Sequence, residues 1–358
     1  MKFDEIIRDL KNRRERVIKG EWNCLPLPFP RYRNILPGTE QGKYIILSAN
    51  QKVGKSKLCD YLWVYELIFF MVEHPEFKAK VLYFTLEMSP KEKYNEFLCH
   101  LLARLDGIYM TNTNLKSTDK DKPVDIHIFE LLESERYKTY IRKFEEVVEY
   151  IDSIKNPTGV NKYCRDFAES NGHYNYTTYE KANEITGELE EKQMLDPINP
   201  FTWNDPNMYV FVLIDNASNL STEKGMDIWG TINKMSKYAI TLKSQLNMIV
   251  VLIQHQAQDK EGNESFKLGR IKPSSDGLAD CKVTSRDADI VIGLYSPFKY
   301  GLAVYEGYDV KRFKNYIRFM EVIEDRHYGA TGNICPLLFN GASSIFYELP
   351  KPDNTREL

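Results

Sequence analysis

The sequence predicts an α/β protein with a mostly parallel sheet, helices on both of its faces, and antiparallel edge strands at the C-terminus. Three observations predict it. The runs KYIILS (43–48), VLYFTL (81–86), YVFVLID (209–215), MIVVLIQ (248–254) and ADIVIGLY (288–295) are apolar almost throughout, as strands are when both of their faces are buried. Helical patterns separate them, and that alternation builds parallel crossovers. At the end, YIRFMEVIEDR, HYGATG, NICPLLFN and SSIFYEL read as strands around a glycine-containing turn, an antiparallel edge.

Composition sets outer limits. A chain of 358 residues with 42% apolar residues can bury a large core, as one large domain with an appendage or as two domains. A net charge of −3 supplies no overall basic field, so any nucleic-acid contact must come from local patches. The six cysteines are scattered without a C-x-x-C pair, which predicts reduced thiols, a cytoplasmic setting and no zinc site. The start, MKFDEIIRDLKNRRERVIKG, lacks the apolar centre of a signal peptide. The most apolar helical stretch, LCDYLWVYELIFFMVEH, carries Asp60 and Glu66 and predicts a buried helix, with no membrane contact.

The elements follow in order. Phe3, Ile6, Ile7 and Leu10 form one helical stripe with no evident local partner, and a basic run covers Lys11 to Arg16. LPLPFPRYRNILPG then reads as an extended, proline-rich linker. After the first strand and the loop that follows it, an apolar helix runs to about His74. Ser89, Pro90 and Glu92 spell a capping box and open a helix to about Asp106. Trp229, Ile232, Met235, Ala239 and Leu242 give an amphipathic helix over 226–245. The expected organisation is a helix and arm over 1–37 and one α/β domain over 38–358. That domain is interrupted by a polar, helical, tyrosine-rich insertion at about 111–208, where HYNYTTYEKANEITGELEE suggests a protruding hairpin.

The chemistry-bearing residues sit at strand ends. SANQKVGKSK (48–57) matches the phosphate-loop pattern G-x-x-x-x-G-K-[ST] except that Ala49 replaces the first glycine. Its position between an apolar strand and a long helix is the setting that the mechanism needs. Asn50, Gln51, Lys52, Val53, Gly54, Lys55, Ser56 and Lys57 are therefore the candidate nucleotide-binding stretch. The backbone amides would face phosphates, Lys55 would reach the β- and γ-phosphates, and Ser56 would hold magnesium. Asp215, closing its strand, is either a magnesium ligand or a helix cap. Glu87, closing VLYFTLE, is either the base for an attacking water or a solvated carboxylate. Gln254 can hydrogen-bond a γ-phosphate at the end of MIVVLIQ and report its loss to the long polar loop that follows. That loop holds Lys260, Lys267, Arg270, Lys272, Lys282 and Arg286, candidate contacts to a nucleic-acid backbone. Arg326, in EDRHYGATG, is either a surface arginine or an arginine finger for a neighbouring subunit.

With these residues in hand, the chain resembles the RecA-like motor domain of DnaB-type hexameric replicative helicases. The likeness runs in order across most of the chain outside the insertion. PGTEQGKYIILSANQKVGKS resembles the family's entry to its phosphate loop, where alanine is common at the first position. TLEMS resembles its Ser-Leu-Glu-Met block, LIDNASNL its magnesium-binding strand, and IVVLIQHQ the strand ending in its sensor glutamine. KPSSDGLADCKVTSRDADIVIGLY resembles the block holding its DNA loop, and EDRHYGATG its Lys-x-Arg-x-Gly-x-x-Gly turn.

The resemblance implies a RecA-like P-loop NTPase that uses ATP and Mg2+, with catalytic Glu87, sensor Gln254 and Arg326 reaching into the adjacent subunit. It further implies a DNA helicase acting in DNA replication, a hexameric ring on single-stranded DNA, and a primase or helicase loader as partner. The first helix matches the family's linker helix, which packs on the next subunit; the primase-binding domain before it has no counterpart. Three departures stand out. Glu324 replaces the family's lysine, Tyr328 is inserted before Gly329, and Ala279 follows Leu278 where an arginine is expected. A filament-forming recombination or annealing ATPase, and a regulatory ATPase with degraded DNA contacts, are the alternatives.

Overall fold

The structure is a computed structural model describing residues 3–182, 188–257 and 271–357. Strands of the main sheet are β1 (Tyr44–Ala49), β2 (Lys78–Thr85), β3 (Val148–Ile151), β4 (Met208–Asp215), β5 (Ile249–His255), β6 (Ile290–Tyr295), β7 (Ile317–Asp325), β8 (Ile334–Asn340) and β9 (Ile345–Glu348). Their order across the sheet is β9-β8-β7-β6-β1-β5-β4-β2-β3. The ladders β6-β1-β5-β4-β2-β3 are parallel, and β7, β8 and β9 add antiparallel pairs. The expected mixed architecture is therefore the one that forms.

Strand alternation divides the core into two layers. Ile249, Val251, Ile253, Phe211 and Leu213 face one side, against Leu58, Leu62 and Leu67 of the helical run that follows the phosphate loop. Val250, Leu252, Val212 and Ile214 face the other, against Ile232, Met235, Ala239 and Leu242 of the helix Ile228–Leu246. Trp229, in the first turn of that helix and sharing its spacing, is 47% exposed. Ser89 caps the helix Pro90–Asp106 with the full capping box.

The structure adds detail to two expectations of organisation. The proline-rich stretch forms no α-helix and no strand of the main sheet, but it is packed down: Leu25, Leu27, Phe29, Tyr32 and Leu36 are buried in the first core layer, and Leu25–Pro26 pairs with Gly38–Thr39. Prolines block a helix there but leave apolar side chains free to pack. The segment 111–208 is only partly an excursion. Its helix Glu135–Val147 buries Tyr137, Phe144 and Val147, and Val148–Ile151 becomes the edge strand beside β2. The hairpin is present as Tyr176–Ala182 paired with Leu189–Leu195, with Tyr176 and Leu189 exposed.

The first helix, Phe3–Ile18, leaves Phe3, Ile6 and Leu10 exposed. Arg13 ties it to Glu40, whose other carboxylate oxygen accepts from the Tyr328 hydroxyl. Among the described residues no helix is long and apolar enough to cross a membrane, and the six cysteines are free thiols.

Candidate functional site

The phosphate loop leaves β1 at Ala49 and turns into a helix at Lys55. Gly54 makes the turn at φ 106°, a left-handed conformation that favours glycine. A Cβ at Gly54 would also lie 3.1 Å from the Phe339 ring. Lys55–Asp60, the π-helical turn Tyr61–Tyr65 and Glu66–Glu73 then run on in sequence. Beneath the loop, buried Arg318 donates from Nε to the Val53 carbonyl at 2.7 Å and braces it from β7. Burial pushes the Arg318 guanidinium down to about 10.

The loop opens on a cavity of about 550 Å3 lined by Lys55, Ser56, Glu87, His255, Arg318 and Phe339, among others. The Ser56 hydroxyl donates to Asp215 Oδ1 at 3.0 Å. Asp215 faces the loop helix because it continues the Phe211–Leu213 face of β4. Glu87 sits exposed at the rim, its Oε2 accepting from the Asn216 side-chain amide at 3.0 Å. The peptide bond between Asp215 and Asn216 is cis. The structure thus gathers Lys55, Ser56, Glu87 and Asp215 at the carboxyl edge of the parallel strands, where α/β sheets bind ligands.

Gln254 is not with them. Its side chain is fully buried on the opposite face of the sheet, donating to the carbonyls of Ala279 (2.6 Å) and Cys281 (2.8 Å) and accepting from Thr284. The reason is strand alternation: Gln254 continues the Val250–Leu252 face, and the next residue points the other way. That residue is His255, with Nε2 3.1 Å from Lys55 Nζ. Gln256 lies buried on the Gln254 side, donating to Ser48 Oγ and the Ser274 carbonyl. In Gln-His-Gln the two amides therefore pin the loop to the sheet, and the imidazole faces the cavity. Burial and the Lys55 charge push His255 down to about 4, so its ring is neutral at pH 7. Reading the side-chain period through the strand end would have found it.

Arg326 lies far from its own phosphate loop in register. β7 runs antiparallel to β6, and Asp325 pairs with Ile290, at the amino edge of the parallel strands. The Arg326 side chain is exposed and donates to the Arg286 carbonyl. Asp325 shapes the following turn by accepting from the backbone N–H groups of His327, Tyr328 and Ala330. Of the candidate nucleic-acid contacts, Lys267 and Arg270 lie outside the described residues, as does Lys260. Lys272 is ion-paired with Glu321 at 3.2 Å, while Lys282 and Arg286 are exposed.

The site fits a magnesium nucleotide. Lys55 is 7% exposed and, among the described residues, has no carboxylate within ion-pair distance. Burial lowers its pKa, and Asp215 and Glu87 oppose that shift; an anion at the loop would relieve the burial. Ser56 and Asp215 supply two oxygen donors, as magnesium sites completed by phosphates do. Among the described residues no larger ligand cluster is gathered. On the other side of Phe339 lies a separate cavity of about 250 Å3 lined by Tyr109, Phe313, Tyr316 and Tyr347, among others.

Loop, strand order and strand-end groups define a RecA-like P-loop fold. No family model matches the chain, and no curated protein matches it. Solved structures do. One, an isolated ATPase domain, matches with a TM-score of 0.62 at 14% identity, covering 98% of this chain and 99% of that one. Another, a DnaB-like replicative helicase described with its interactions with primase, matches with a TM-score of 0.63 at 14% identity, covering 98% of this chain and 67% of that one. The chain has the fold of the DnaB-type ATPase domain over nearly its whole length.

Proposed function

We propose that the protein is an ATP-driven DNA helicase of the DnaB type. It would assemble as a ring, hexameric by the resemblance, move along single-stranded DNA and unwind the duplex ahead during replication. One observation carries the reading: the candidate residues lie at both edges of the sheet. Lys55, Ser56, Glu87 and Asp215 gather at one edge and Arg326 lies at the other, an arrangement in which a second copy would complete the site.

In this reading the loop amides and Lys55 hold the phosphates, and Ser56 and Asp215 hold magnesium. When bound at Ser56 and Asp215, the ion would neutralise charge on the phosphates. Glu87, oriented by the Asn216 amide, takes the proton of the attacking water. Neutral His255, not Gln254, faces the phosphates, its Nε2 accepting from Lys55 and so holding that ammonium at the loop. Its neighbours Gln254 and Gln256 carry any displacement of that strand end into the segment 274–284. Arg326 stabilises charge in the neighbour's site, and the exposed stripe of the first helix docks on the adjacent subunit. DNA contact falls to Lys282, Arg286 and the basic residues between 258 and 270; a primase or loader is the implied partner.

The test is ATP hydrolysis with and without single-stranded DNA, alongside the mass of the assembly with ATP. A closed ring with DNA-stimulated turnover supports the helicase. An open polymer points to a recombination or annealing filament, and turnover indifferent to DNA points to a regulatory ATPase.

A further inference from the structure

We propose that Lys93 is a positioning residue of the nucleotide site: its buried ammonium fixes the orientation of Asp215 and so sets the affinity of the site for magnesium. The proposal rests on the ATPase reading above.

Lys93 lies in the first turns of the helix that begins at Pro90, immediately after Glu87. It is 1% exposed, an extreme state for a lysine. Its Nζ donates to Asp60 Oδ2 at 2.9 Å and Oδ1 at 3.1 Å, to the Tyr83 hydroxyl at 2.9 Å, and toward Asp215 Oδ2 at 3.5 Å. The Tyr83 hydroxyl passes its own proton toward the same Asp215 oxygen, at 3.4 Å. Three donors thus meet Asp60, Tyr83 and Asp215, which satisfies an ammonium completely.

The two oxygens of Asp215 are consequently assigned to different neighbours. Oδ1 accepts from Ser56 at the cavity, and Oδ2 is held from behind by Tyr83 and Lys93. The terminal torsion of an aspartate is otherwise broad, so this clamp selects the orientation that presents Oδ1. Asp60 closes the circuit. It stands four residues after Ser56 on the same helix, hence on the same face. One ammonium therefore ties together the phosphate-loop helix, β2, β4 and the helix that follows the base Glu87. A buried ion pair adds little net stability compared with apolar packing, so the value of this one lies in where it holds Asp215. Groups that orient metal ligands from behind typically change metal affinity by about 10- to 100-fold when removed.

The experiment uses the full chain and equilibrium binding of fluorescent ADP, titrated with Mg2+ and repeated without the metal, with thermal unfolding as the control of folding. Lys93→Met alone leaves the Asp60 charge buried and unpaired, so the informative variant is Lys93→Met combined with Asp60→Asn. Tyr83→Phe is the second variant, which removes only the bridging hydroxyl. The double variant is expected to need about tenfold more Mg2+ for half-maximal binding, and Tyr83→Phe about threefold more, while metal-free binding of ADP changes less than about twofold. A Mg2+ requirement unchanged in either folded variant overturns the proposal and leaves the ATPase reading standing. Equal loss of binding with and without Mg2+ also overturns it, since that is a general packing defect. Failure of the wild-type chain to bind ADP with any Mg2+ dependence overturns the ATPase reading, and the role of Lys93 with it.

Discussion

The two edges of the parallel strands are built on opposite principles. At the carboxyl edge, functional groups are held by one another: Ser56 on Asp215, Asn216 on Glu87, His255 on Lys55. At the amino edge, Arg326 and His327 stand exposed, and the order lies in the backbone turn that Asp325 organises. One edge is a pocket whose own arginine, Arg318, is spent on the Val53 carbonyl beneath the loop. The other offers an arginine with no phosphate of its own in reach. On the proposed reading, the difference means that this chain would carry two halves of two sites, not one whole site.

The sharpest way to break that comparison is complementation. Arg326→Ala is expected to lower ATP hydrolysis by about a thousandfold, at the lower end for arginine fingers. Glu87→Gln should cost about 100- to 10,000-fold with nucleotide binding near normal. Mixing the two inactive proteins should restore turnover, because the Glu87→Gln chain lends Arg326 to a neighbour with an intact base. Mixtures that stay inactive would show that Arg326 does not act across subunits.

The next effect separates the two faces of β5. His255→Ala should lower turnover by about a hundredfold, because Lys55 loses the acceptor that positions its ammonium at the loop. Gln254→Ala should instead cost about 1–3 kcal/mol of stability, by removing the buried amide that holds the Ala279 and Cys281 carbonyls. Chemical denaturation alongside steady-state hydrolysis decides it, and the reverse pattern would return the sensing role to Gln254.

The smallest effect is on pH. His100 is buried against the Ser343 carbonyl, and burial pushes it down to about 3. The unfolded chain takes up this proton near 6.5 and the folded chain far lower, so the contribution is complete above 6.5. It is lost on acidification, by up to about 1.4 kcal/mol per pH unit. Asp60, pushed up to about 6 by burial, works in the opposite sense between that value and the ordinary carboxylate range. The readout is therefore the difference in stability slope between wild type and His100→Gln, which should be flatter.

Much of this was legible before any coordinates. Unbroken apolar runs announce strands buried on both faces, and the glycine, lysine and serine after KYIILS mark the loop between a strand and a helix. Ser89, Pro90 and Glu92 mark a helix start at single-residue precision, because capping is local chemistry. What escaped is what depends on direction or distance. Gln254 and His255 differ only in which way they point, and a run apolar on both faces hides its own phase. Arg318 and Lys93 look like ordinary surface cations until the fold closes over them. Val148–Ile151 has too few residues to advertise itself, and only the exposed flank of β2 makes it a strand.

Phe339 shows what such closure entails. Its ring lies against Gly54, stacks under the Arg318 guanidinium at 4.9 Å, and borders both the phosphate cavity and the separate aromatic cavity. A single partition wall therefore serves two rooms. A substitution of Phe339 reshapes both rooms at once, and under the proposed reading any change on the aromatic side would be felt at the phosphate loop as well.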